Sequence, residues 1–139
     1  MNPRIVVLVI GIITTVLGIG GLISPSFVME RVVGFAVDPS FSENFVRGEV
    51  RAVYGGLFSV LGFSTLFAAM DVHENRGRVL MIGLLWLGLF GGRLIGAMVD
   101  GSPGLLGWLS VVFELAMGGL LVASSMITRP LGGPSYSTS

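Results

Sequence analysis

Four long apolar stretches, each broken by at most one charge, dominate the pattern of this chain. The first runs from Ile5 to Ile23 without a charge, and the second from Val50 to Met70, broken only by Arg51. The third runs from Val79 to Val99, broken by Arg93, and the fourth from Leu105 to Ile127, broken by Glu114. A helix rises about 1.5 Å per residue and the hydrocarbon core is about 30 Å thick, so each stretch spans it with little tilt. The predicted fold class is an all-α integral membrane protein, a four-transmembrane-helix bundle. Met1-Asn2-Pro3-Arg4 ahead of the first stretch suits a signal peptide. The apolar run is longer than the usual h-region of about 7–15 residues, however, and Gly21-Leu22-Ile23-Ser24-Pro25 is not a small-x-small cleavage site. A retained signal-anchor helix is the better reading.

The connections differ in character. Asp71 to Arg78 is a short polar hairpin, and Asp100-Gly101-Ser102-Pro103-Gly104 is a tight turn. Ser24 to Glu49 is long enough to hold structure of its own. Ser24 followed by Pro25 is an N-cap with Pro at N1, and Phe27, Val28, Val32 and Phe35 then share one apolar face. That spacing predicts a short interfacial helix between the first and second spans. Ser40-Phe41-Ser42-Glu43 has capping-box spacing, so the second long helix is expected to begin there, before it enters lipid. Residues 1–127 make one transmembrane domain, and 128–139, rich in Pro, Gly and Ser, a disordered C-terminal tail.

Composition agrees and narrows the function classes. Only 12% of residues are charged, where a soluble domain carries about a quarter, and the mean hydropathy is +0.90. This excludes a water-soluble enzyme. The net charge of zero leaves no electrostatic footprint for nucleic acid. There is no Cys, which excludes disulfides, thiolate metal sites, haem attachment and cysteine nucleophiles. His73 is the only His, so multi-histidine metal sites are excluded too, and no cofactor is expected. Asp71 and Glu74 flank it in a hairpin that reads as solvated loop. All eight basic residues are Arg. Arg4, Arg76, Arg78 and Arg129 fall on one side of a four-span topology. Arg31 and Arg47 fall on the other, diluted by Glu30, Asp38, Glu43 and Glu49. The positive-inside rule places both termini in the cytoplasm.

The informative charges are those inside the spans. Arg51 enters the second span just below the outer surface. Arg93 lies six residues before Val99, about 9 Å deep, and Glu114 nine residues past Leu105, about 14 Å deep. A long Arg stem bridges such differences. Arg51, Arg93 and Glu114 are therefore expected to face inward and pair, with Glu49 and Asp100 at the rim and Tyr54, one turn below Arg51, within reach. A lone charge at the bilayer centre would cost roughly 2.5–3.5 kcal/mol on insertion scales. Two readings compete: a structural bolt that fixes helix register, and a polar pocket for an anionic or zwitterionic headgroup. Tyr54 is either a hydroxyl donor to this cluster or an interfacial aromatic. Gly88, Gly92 and Gly96 form a small-xxx-small ridge on the third helix, and Ala52, Gly55, Ser59 and Gly62 line a face of the second; such ridges let helices pack closely, within or between chains. Trp108 suits an aromatic belt, and the deeper Trp86 a place between helices.

Glu49-Val50-Arg51-Ala52-Val53-Tyr54-Gly55-Gly56, together with Arg93 and Glu114, resembles the pattern of a family of small bacterial four-helix membrane proteins known only as a domain of unknown function. The resemblance runs from about Val6 to Ala123. It implies four spans, a shared polar cluster and a bacterial inner membrane, with no activity to carry over. A vaguer likeness to DoxX-type proteins and sterol-biosynthesis scaffold proteins is one of fold only. No nucleophile elbow or phosphate loop is present, so no reaction is expected. The leading expectation is a non-catalytic accessory or assembly subunit that packs against a larger membrane complex or its own copies. The second is a binder or carrier of a lipid or small amphiphile, and the third a proton-coupled small exporter that uses Glu114.

Overall fold

The computed structural model describes residues 2–28 and 43–127. Its helices are α1 (Pro3–Ile23), α2 (Pro25–Phe27), α3 (Glu43–Val50), α4 (Phe58–Met70), α5 (Arg76–Val99) and α6 (Gly104–Ile127). A π-helical segment, Arg51–Leu57, joins α3 to α4 without a break. There is no strand among the described residues. Four helices are long and apolar enough to cross a membrane: α1, the 44–70 helix, α5 and α6. The rest of the expected interfacial helix, including Val32 and Phe35, lies outside the described residues, as do Ser40 to Ser42 of the capping box and the 128–139 tail.

Helix ends follow local chemistry. The Asn2 side chain accepts the Arg4 N–H at 3.0 Å and Pro3 opens α1, a first turn whose free donors are thereby reduced. In the 71–75 turn Asp71 Oδ1 accepts the Glu74 N–H at 3.0 Å. The 100–103 turn reverses the chain through Gly101 (φ 99°) and Gly104 (φ 72°), a left-handed backbone that a side chain would resist.

The four spans close into a ring. α1 packs most extensively on α4 and the π segment, α5 on α6, and the thinner seams are α1 with α6 and α4 with α5. Apolar side chains gain little by leaving lipid for another helix, so close backbone approach must hold the spans together. It does so along α1. A Cβ on Gly18 would meet backbone atoms of Phe58 and Ser59, the former at 2.7 Å, and one on Gly21 would meet backbone of Gly55 and Tyr54 at 2.8 Å. From the other side, a Cβ on Gly62 would meet Thr15 Cα at 2.6 Å. Gly55, Ser59 and Gly62 thus face α1 as their spacing predicts, whereas Ala52 is exposed. Gly83 and Gly118 perform the same role between α5 and α6. Thr14, Thr15 and Thr65 return their hydroxyls to the carbonyl four residues back at 2.7–2.8 Å, which satisfies a polar group where no water reaches. Trp86, 2% exposed, fills the centre between Phe58 and Phe113, its ring centroid 5.3 and 5.6 Å from theirs.

The ridge on α5 behaves differently. A Cβ on Gly88 or Gly92 would meet nothing within 4 Å among the described residues, and one on Gly96 only Asp100, the C-cap of the same helix. Among the described residues, therefore, Gly88, Gly92 and Gly96 do not pack one helix against another. Only 22% of the most apolar stretch of α5 is buried, against 44% for α1.

Candidate functional site

The candidate site grows out of the π segment, which coincides with Arg51-Ala52-Val53-Tyr54-Gly55-Gly56-Leu57. A π turn holds more residues than an α turn, so it redirects the side chains on either side of it, and such turns are frequent where helices carry function. Here it presents three neighbours to three surroundings. Gly55 lies against α1. Arg51 is exposed and its Nε donates to the Leu22 carbonyl at 3.3 Å, at the C-terminus of α1. Tyr54 is half-buried, stacks edge-on against Phe58 with centroids 5.5 Å apart, and faces the Arg93 guanidinium.

Arg93 and Glu114 form the polar centre. Arg93 Nε donates to Glu114 Oε1 at 2.7 Å, linking α5 to α6. The two ends of this bond differ. Glu114 is 3% exposed, and its Oε2 is buried with no hydrogen-bond partner among the described residues. The Arg93 side chain keeps 31% exposure, and its terminal nitrogens are donors that Oε1 does not use.

That exposure opens onto two cavities. A groove of about 570 Å³ between the second and third spans is lined by Tyr54, Leu84, Leu85, Gly88, Leu89, Gly92 and Arg93. Its walls are hydrocarbon and its one charged wall is Arg93. A second cavity of about 340 Å³ at the 100–103 turn is lined by Arg93, Gly96, Ala97, Asp100, Gly101, Ser102, Pro103 and Gly107. Beside it the Trp108 indole N–H donates to Ser102 Oγ at 3.3 Å. A third, at the opposite end, is lined by Arg76, Gly77, Leu80, Ser125 and Met126.

A family model described as a domain of unknown function, DUF4345, matches residues 3–124. The chain belongs to the DUF4345 family. No curated protein and no solved structure matches it.

In this DUF4345 chain the expected cluster of Arg51, Arg93 and Glu114, rimmed by Glu49 and Asp100, is centred on a two-charge pair. Arg93 and Glu114 meet, and Tyr54 joins them from the π segment. Arg51 bonds elsewhere because the last carbonyls of α1 lack partners within their helix and attract a cation. Glu49, in the last turn of α3, is exposed and stands apart from the pair. Leu84, Leu85 and Leu89 carry no signal in sequence beyond being apolar; only the missing neighbours of Gly88 and Gly92 make them a groove. The sequence pattern favours the more regular ridge on α5 over Gly11, Gly18 and Gly21, the α1 face that makes the close contacts. Among the described residues no group of three potential metal ligands occurs.

Proposed function

We propose that this DUF4345 membrane protein binds an amphiphile in the groove between its second and third spans, with the charged end of the ligand on Arg93. One observation carries the reading: a hydrocarbon-walled groove ends at a partly exposed intramembrane guanidinium whose pairing with Glu114 uses Nε alone. An ion pair serving only as a bolt has no need of exposure on one side, and a membrane charge that keeps an open face is a functional hypothesis by default. Glu114 orients Arg93 and offsets its charge; Tyr54 flanks it; Gly88 and Gly92 leave room along α5. On this reading the protein is non-catalytic. The Arg distribution supports an orientation with both termini cytoplasmic and the Arg93 end of the groove in the outer half of the membrane.

Mass spectrometry of lipid extracted from the protein purified in mild detergent tests this. Wild type retains a defined amphiphile, Arg93→Leu loses it, and Gly92→Leu, which fills the groove without touching the ion pair, loses it too. Identical bound lipid in all three overturns the proposal.

The uncovered face of α5 favours a second reading, an accessory subunit in which another membrane protein or a second copy covers Gly88, Gly92 and Gly96. A monomer that purifies without a partner counts against it. A proton-coupled exporter ranks below both, because Arg93 occupies Glu114, the buried carboxylate among the described residues that would have to exchange protons.

A further inference from the structure

We infer that the polar end of the ligand is zwitterionic, a phosphate bearing a short amine arm, as in a phosphoethanolamine lipid. This rests on the reading of the groove as an amphiphile site and adds the identity of the headgroup. Arg93 is the wall shared by the groove and by the cavity at the 100–103 turn, so a ligand whose tail lies along Gly88 and Gly92 places its head where that cavity begins. The cavity holds one charge of each sign. Arg93 stands at its deep end and Asp100 at its mouth, two turns apart on one face of α5, about 10 Å along the axis. Glu114 draws Arg93 toward the bundle, and Asp100 lies back over Gly96, with Oδ2 at 3.9 Å from a Cβ built there. Gly96 puts no side chain between the two charges. The space from cation to anion is left open, and Ser102 adds a hydroxyl at the mouth.

A phosphate accepts from the terminal Arg93 nitrogens, and an ammonium two carbons further on donates to the Asp100 carboxylate. A lipid with a bare phosphate would leave Asp100 unanswered and bring a like charge toward it at the rim of a low-dielectric region. A polyol headgroup satisfies Asp100 by hydroxyl donation alone, without the charge. Charge complementarity along the cavity therefore selects the zwitterion, and the exposed 100–103 turn gives the headgroup its route from the aqueous side.

The test is native mass spectrometry of the full chain in a neutral detergent, titrated with phosphatidylethanolamine, phosphatidylglycerol and phosphatidic acid of identical acyl chains. Wild type is expected to retain phosphatidylethanolamine about twofold to fivefold better than phosphatidic acid, the range that an exposed ion pair supplies. Asp100→Asn, an exposed substitution that leaves Arg93 and the groove in place, is expected to level the two lipids while keeping both bound. Preference for phosphatidic acid or phosphatidylglycerol by wild type overturns the inference, as does an ethanolamine preference that survives Asp100→Asn; in each case the groove reading stands so long as Gly92→Leu abolishes binding. Lipid retention that ignores Gly92→Leu overturns both.

Discussion

Removing the two halves of the Arg93–Glu114 bond should have unequal effects, and the inequality follows from exposure. Arg93→Leu strands a carboxylate that is 3% exposed and whose second oxygen already lacks a partner among the described residues. Breaking a buried pair from one side costs about 3–5 kcal/mol. Glu114→Leu strands a guanidinium whose side chain is 31% exposed and whose Cα lies six residues, about 9 Å, from the end of α5. Its stem carries the charge toward that end, so the loss is about 1–3 kcal/mol. The double variant, with leucine at both positions, removes both charges together and should fall within about 1 kcal/mol of wild type or exceed it. Reversible unfolding by SDS in bicelles, followed by circular dichroism, measures all four proteins. Equal losses for the two single variants, or a double variant less stable than either, would refute the reasoning. The same double variant separates a bolt from a site: it should fold and hold no amphiphile, and one that folds and still holds it leaves the pair a purely structural role.

Two further outcomes follow from contacts outside the pair. Gly18→Ala drives a methyl into the backbone of Phe58 and Ser59, where no rotamer relieves it, and should cost about 1–3 kcal/mol or more in the same unfolding assay; Gly92→Ala meets nothing within 4 Å and should be neutral or stabilising by up to about 1 kcal/mol. Equal effects at the two glycines would contradict the assignment of Gly92 to an open groove. Arg51→Leu loses the 3.3 Å bond to the Leu22 carbonyl and a favourable charge at the end of α1, about 0.3–1 kcal/mol, with bound lipid unchanged. A loss as large as that of Arg93→Leu would return Arg51 to the polar centre.

Much of this was legible in the sequence, for identifiable reasons. The spans are readable because runs this long and apolar form helices in lipid; their ends extend beyond the apolar runs, at Pro3, Arg76 and Gly104, since the backbone just outside the run stays helical until its cap. The meeting of Arg93 with Glu114 is readable from depth alone, because two charges within a few ångströms of the same level in one small bundle have nowhere better to go. The destination of Arg51 is not, because a backbone carbonyl at a helix end leaves no mark in the pattern of side chains. Neither is the π segment: the apolar pattern runs through it unaltered, and Gly55-Gly56 is the one local hint of a backbone free to widen.

The two glycine ridges show why a pattern shared by two helices ends in opposite structures. On α1 the ridge faces Gly55, Ser59 and Gly62, small against small, and the backbones close to contact. On α5 the corresponding seam begins with Trp86 packed on Phe58, a pair of rings that holds the second and third spans apart at mid-height. Beyond that wedge Gly88 and Gly92 offer nothing to refill the gap, and Tyr54 and Arg93 close its far end. A glycine ridge beside a small residue draws helices together; the same ridge beyond a large one preserves the space the large one opened. The groove is therefore built by the order of residues along α5, Trp86 first, then Gly88 and Gly92, then Arg93, and the charge at its end decides what kind of molecule that space suits.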